Sequence, residues 1–225
     1  MKRINLKAGF LEVVLVAIAA SVTACATDAQ TQTQASGSTV AQTESKPSMH
    51  HGGMDHSMME LGPADAEFDL RFIDSMIPHH EGAVTMAQAV LQKSQRPELR
   101  TLAQSIIKAQ KQEIAQMQGW RKAWYPQAPS QPVAWHAAMG HSMTMFPEQI
   151  KALRMDVDLG AADAEFDQRF IAAMIPHHEG AVVMAKDVLQ KSQRSEVLQM
   201  AKAIISSQQA EIEQMQQWRK AWYGK

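Results

Sequence analysis

Phe68-Asp-Leu-Arg-Phe-Ile-Asp-Ser-Met-Ile-Pro-His-His-Glu81 recurs as Phe166-Asp-Gln-Arg-Phe-Ile-Ala-Ala-Met-Ile-Pro-His-His-Glu179, and each copy continues into Gly-Ala-Val-x-Met-Ala. Its apolar residues step by three and four. Phe68, Phe72, Met76, His79, Ala83, Met86 and Val90 fall on one stripe, the pattern of a helix that packs one face on a core. Asp65, Glu67 and Asp69 lie at its start, where negative charge suits the helix dipole. A second helix is predicted from Pro97 to Trp124, opening with Pro97 and Glu98 and carrying Leu102, Ile106, Ile107, Ile114, Met117 and Trp124 inward. No strand-like alternation competes.

The duplication reaches beyond the motif. Leu61–Tyr125 aligns without gaps on Leu159–Tyr223 at an offset of 98, with 45 of 65 positions identical. The fold class is therefore all-α, with two helical hairpins closing a four-helix bundle. Residues 61–125 form repeat 1 and 159–225 repeat 2, joined by a Met/His-rich linker, 126–158, that is expected to be disordered. Pro78 and Pro176 precede the paired histidines. Proline lacks an amide hydrogen and clashes with the preceding turn, so a kink or break is predicted there, freeing the carbonyl of Asp74 or Ala172. Gly82 and Gly180 then either remove side-chain bulk where a ligand or a neighbouring helix can approach or simply ease a bent helix.

Composition narrows the class. The net charge of −1 and the absence of a basic face argue against nucleic acid, and 16 methionines and nine histidines stand against one cysteine. Residues 1–26 read as an export signal: Lys2, Arg3 and Lys7 precede a mostly apolar run, Ala8 to Ala20, interrupted by Glu12. Val22-Thr23-Ala24-Cys25 matches a lipoprotein box, which would leave Cys25 acylated and the chain lipid-anchored; cleavage after Ala26 would instead release an exported, soluble chain. Both readings place the mature protein outside the cytoplasmic membrane, in the periplasm or beyond it. Residues 27–60 read as a disordered tether, since Thr27 to Pro47 is almost devoid of apolar side chains.

The methionines and histidines fall into three groups. Met49, His50, His51, Met54, His56, Met58 and Met59 close the tether. His136, Met139, His141, Met143 and Met145 lie in the linker. Both segments contain Met-x-His-Ser-Met, 85 residues apart rather than 98, so this motif keeps its own register. The third group is helical: His79 and His80 with Met76 and Met86, repeated as His177 and His178 with Met174 and Met184. Glu81 and Glu179 are either outer-shell acceptors for an imidazole or solvated helix charges. Thioether sulfur is soft and uncharged, so these sets suit Cu(I) or its mimic Ag(I), with Cu(II) open to imidazole and carboxylate.

At these residues the chain resembles a known family. Phe68 to Ala87 and Phe166 to Ala185 are similar to the signature of the family catalogued as domain of unknown function 305, exported bacterial proteins with a ferritin-like four-helix fold. Met-x-His-Ser-Met also resembles segments of bacterial periplasmic copper-resistance proteins. The resemblance implies copper binding and copper resistance, with an efflux or sensor protein of the envelope as a candidate partner. A ferritin-like di-iron centre would need Glu-x-x-His motifs, and no histidine here has glutamate three residues before it. Expected is a copper buffer or carrier without turnover. Two alternatives stand beside it: a metal-free helical interaction module, for which the repeated Trp-Arg-Lys-Ala-Trp-Tyr at Trp120 and Trp218 speaks, and a copper-dependent oxidase.

Overall fold

Helix α1 (Phe68–Lys93) folds back on α2 (Pro97–Trp124). A short hairpin follows, β1 (Val133–His136) and β2 (His141–Thr144), then α3 (Pro147–Arg154). The second repeat forms α4 (Phe166–Lys191), folded back on α5 (Ser195–Tyr223). The structure, a computed structural model, describes residues 59–224. The export signal, Cys25, most of the tether, and Met49, His50, His51, Met54, His56 and Met58 lie outside the described residues. Among the described residues no helix is long and apolar enough to cross a membrane.

The four long helices make the expected bundle, with α1 and α4 as its central pair. Contacts across that pair occur twice, as a duplicated unit requires. Lys93 Nζ donates to the Gly160 carbonyl at 2.6 Å, and Lys191 Nζ to that of Gly62 at 2.8 Å. Arg96 pairs with Asp167 at 3.1 Å and Arg194 with Asp69 at 3.4 Å. The C-terminal end of each central helix thus meets the start of the other, so the two run antiparallel. The Trp-containing ends are used internally: Trp120 stacks on Trp124 and Trp218 on Trp222, with Arg194 over Trp124 and Arg96 over Trp222, each 4.3 Å from the ring centroid.

Two expectations need correction. Of the kink or break expected at Pro78 and Pro176, the break does not occur, for α1 and α4 each run unbroken through 26 residues. An interior proline costs about 3 kcal/mol or more, and here it lies in a stretch buried nearly throughout, from Phe68 to Met76 and again from Pro78 to His80 in α1. Burial at about 1.5–3 kcal/mol per large apolar side chain outweighs that cost. Nor is the linker 126–158 disordered. It carries β1, β2 and α3 because repeat 1 offers it a docking face that repeat 2 lacks.

Asp74 is the centre of that face. It is buried, accepts from Arg121 Nε at 2.5 Å and Nη2 at 3.1 Å, and accepts from the Val133 amide at 2.9 Å. Burial raises its pKa, against the lowering effect of Arg121. Arg71 Nη1 donates to Ser142 Oγ at 3.0 Å, and its guanidinium lies 5.2 Å from the centroid of the Trp135 ring. Trp135 in turn covers Gly62, where a Cβ would fall 2.5 Å from the indole. In repeat 2 Asp74 is replaced by Ala172. Arg169 still ties its own loop to Leu159 and Ala161, yet it stays about one-third exposed where Arg71 is fully covered.

Candidate metal centre

The antiparallel crossing of α1 and α4 stacks the two histidine pairs at the middle of the bundle. His79, His80, His177 and His178 have no solvent exposure. The rings of His79 and His177 meet with centroids 3.9 Å apart, while His80 and His178 flank them at 6.5 and 6.2 Å from their chain neighbours. The helical methionines divide across the repeats. Met76 shares one core cluster with Met184, and Met86 shares the other with Met174. In an antiparallel crossing centred on His79 and His177, three residues before one histidine and seven after the other fall on the same side of the crossing, about one turn apart. One cross-repeat methionine pair therefore lies on each side of the imidazole layer.

Hydrogen bonds define which nitrogen of each ring is available. His80 Nε2 lies 2.6 Å from Glu113 Oε2, and His178 Nε2 lies 2.6 Å from Glu211 Oε2. A carboxylate accepts, so each Nε2 carries the hydrogen and each Nδ1 keeps the lone pair. His177 Nε2 is 3.0 Å from the Arg154 carbonyl, which also only accepts, leaving its Nδ1 as the donor atom. None of these three Nδ1 atoms has a hydrogen-bond partner among the described residues. Neither nitrogen of His79 has one. Buried polar atoms without partners cost about 1–3 kcal/mol each, and five such ring nitrogens lie in this one layer, a donor set whose chemistry suits a metal ion. Burial, and next the neighbouring imidazoles, hold His79 well below the usual histidine pKa; burial and then His178 lower His177 to about 3. Both rings are therefore neutral, the form that binds a metal.

The glycines after the motif are occupied differently in the two repeats. A Cβ on Gly82 would overlap the Arg154 carbonyl at the end of α3, the same carbonyl that holds His177. A Cβ on Gly180 would meet the end of the Met59 side chain, 2.9 Å from Sδ and 3.2 Å from His79 Nε2. A thioether and an imidazole nitrogen therefore border the same gap. Met59, expected in the disordered tether, is instead buried in the core cluster with Met76 and Met184. Among the described residues no three His, Cys, Asp or Glu side chains are grouped to hold a metal ion.

Glu81 and Glu179 do not touch an imidazole. Glu81 pairs with Arg154 at 2.9 Å and Glu179 is exposed. The acceptors are Glu113 and Glu211, which sequence reasoning missed. A signal was present: both sit 33 residues after the second histidine, identical between repeats, while Lys111, Gln112 and Ala115 become Gln209, Ala210 and Glu213. In the linker Met145 is buried and Met143 half-buried, whereas His136, His141 and Met139 are exposed on the hairpin, away from the imidazole layer.

The sequence profile of the family described as domain of unknown function DUF305 matches residues 19–97 and 69–219. The chain belongs to the DUF305 family. Among solved structures, this DUF305 chain is similar to CopM in the Cu(I)-bound form, at 37% identity over 69% of this chain and 97% of that chain, with a TM-score of 0.54. CopM in the Cu(II)-bound form is 39% identical over the same shares, with a TM-score of 0.55. A DUF305 fragment from Deinococcus radiodurans is 29% identical over 68% of this chain and 95% of that one, with a TM-score of 0.51. A 49-residue stretch is 37% identical to the uncharacterized protein L153 of Acanthamoeba polyphaga mimivirus and spans 32% of that protein.

Proposed function

We propose that this DUF305 chain is a copper-binding protein of the cell envelope that sequesters, buffers or carries Cu(I), and Cu(II) to a lesser degree, in copper resistance and homeostasis. The observation that carries it is the buried layer of four imidazoles with unpartnered ring nitrogens, bordered by the Met59 thioether. CopM, 37–39% identical over 69% of this chain, has been solved with Cu(I), Cu(II) and silver.

Copper is cargo here. His79 and His177 would hold it, with Met59 supplying soft sulfur that favours Cu(I) over zinc or iron. Glu113 and Glu211 fix the tautomers of His80 and His178, and the Arg154 carbonyl fixes that of His177, so the lone pairs stay inside the layer. Met76, Met86, Met174 and Met184 keep the surroundings apolar and polarizable. A blue-copper electron-transfer site needs a thiolate, and the only cysteine, Cys25, lies in the export signal. Export rests on the reading of residues 1–26, and the N-terminal Met49–Met58 group would add capacity.

The test is a Cu(I) titration of the full chain against a competing chelator, wild type beside H79A/H177A. Loss of the tightest site with unchanged helix content is expected. Unaltered tight binding by a folded variant would overturn the reading.

A further inference from the structure

The β1–β2 hairpin places a second set of soft donors on one surface. In its register His136 stands directly opposite His141, and Ala134 opposite Met143. Alternate residues share a face of a strand, so His136, His141 and Met143 lie together, while Trp135 and Ser142 take the other face and hold Arg71. Side chains directly opposed across strands start about 4.5–5.5 Å apart at Cβ, and the diagonal neighbour Met143 stays within reach of His136. The face turned from the bundle is the one that carries the donors.

The turn adds a fourth group and orients one of the first three. The amides of Met139 and Gly140 both donate to the His136 carbonyl, at 3.0 and 2.9 Å, and Gly140 takes a positive φ of 68° to close the turn. Met139 is left 60% exposed at the tip. His141 Nδ1 lies 3.1 Å from the Met139 carbonyl. A carbonyl only accepts, so Nδ1 carries the hydrogen and the exposed Nε2 keeps the lone pair. Among the described residues the ring of His136 has no hydrogen-bond partner. Register thus puts His136, His141 and Met143 on one face, with Met139 at the tip, at the end of a hairpin anchored through Asp74 and Arg71.

We propose that His136, His141, Met143 and Met139 form a separate, solvent-exposed site for a soft monovalent ion, Cu(I) or Ag(I). The proposal rests on the copper reading above and extends it. The hairpin site loads and exchanges freely, whereas the fully buried layer loads only when the bundle opens. Ag(I) is the probe: the full chain, labelled with 15N at its histidines, is titrated while the imidazole nitrogens are followed by long-range proton–nitrogen NMR. Signals are assigned with H136A and H141A.

Expected are shifts of His136 and His141 Nε2 in the first additions, in fast exchange, with His79 and His177 responding more slowly and separately. The variant M139L/M143L, whose changes lie on the exposed tip and outer face, should lower Ag(I) affinity at the hairpin at least tenfold and leave the buried response unchanged. Response of the buried histidines without any at His136 or His141 would overturn the hairpin site while sparing the copper reading. Response at the hairpin alone would uphold this site and remove the buried one. Silence at both would overturn both.

Discussion

Gly82 and Gly180 occupy the same position in the two repeats, yet changing each to alanine should have different consequences. Alanine in a helix interior is favoured over glycine by about 1 kcal/mol. At Gly180 the new methyl meets the end of the Met59 side chain, which can swing aside at the cost of part of its burial, about 1–2 kcal/mol. The net effect of G180A on stability should lie within about 1 kcal/mol of zero. At Gly82 the methyl overlaps the Arg154 backbone carbonyl, which cannot move without α3. Shifting it breaks the bond to His177 and lifts the buried Leu153, which together cost about 2–5 kcal/mol. At about 2–4 °C per kcal/mol for a domain of this size, G82A should melt roughly 5–15 °C below wild type, and G180A within a few degrees of it. Because the G180A methyl stands between Met59 Sδ and His79 Nε2, this variant should bind Cu(I) at least tenfold more weakly. Thermal unfolding followed by circular dichroism, and Cu(I) competition on the same samples, check both statements. Equal melting of the two variants, or undiminished Cu(I) affinity in G180A, would refute the asymmetric reading of the site.

The double variant E113Q/E211Q should lower copper affinity by less than H79A/H177A does while leaving helix content intact, because His80 and His178, which flank the holding rings, are no longer kept in the Nε2–H tautomer; the same chelator competition reads this out. Stability should depend on pH through His79 and His177, both with pKa values lowered in the fold, His177 to about 3, against 6.5 for the unperturbed group. Their contribution is complete above pH 6.5 and is lost as pH falls toward 3, at up to about tenfold in the folding equilibrium per pH unit for each ring. Urea midpoints between pH 7 and 5 should therefore drop in the wild type and drop less steeply in H79A/H177A; parallel curves would remove these rings as the cause. D74A leaves Arg121 and the Val133 amide without their shared acceptor and should cost about 2–4 kcal/mol. Hydrogen exchange at Val133 and protease cleavage within 130–146 should accelerate, and unchanged protection would show that the hairpin is held by other means.

The helices were legible because a 98-residue repeat displays the same apolar stripe twice, and α2 spans the Pro97–Trp124 range expected from its proline start and aromatic end. The meeting of the histidine pairs was not. Helical spacing relates residues along one helix, whereas His79 on His177 and Met76 beside Met184 depend on an antiparallel crossing. The linker hid its order because four-residue strands carry too little alternation to stand out among Met, His and Gly. Its anchor, Asp74, is visible only as a departure from the repeat, against Ala172. Glu113 and Glu211 were overlooked in favour of the adjacent Glu81 and Glu179, since a partner 33 residues away comes into reach only when α2 folds back on α1. Met59 read as tether from its neighbours in sequence, while its burial is decided by the gap over Gly180.

The central claim, that Cu(I) is held between imidazoles and the Met59 thioether at the middle of the bundle, is tested most directly by X-ray absorption. The full chain, with Met49, Met54, Met58, Met139, Met143 and Met145 changed to Leu, is loaded with one equivalent of Cu(I) and compared with the same chain carrying M59L as well. Expected is a mixed shell of imidazole nitrogen and one sulfur that becomes sulfur-free in M59L and loses its imidazole signature in H79A/H177A. A shell without imidazole, or one whose sulfur survives M59L, would contradict it.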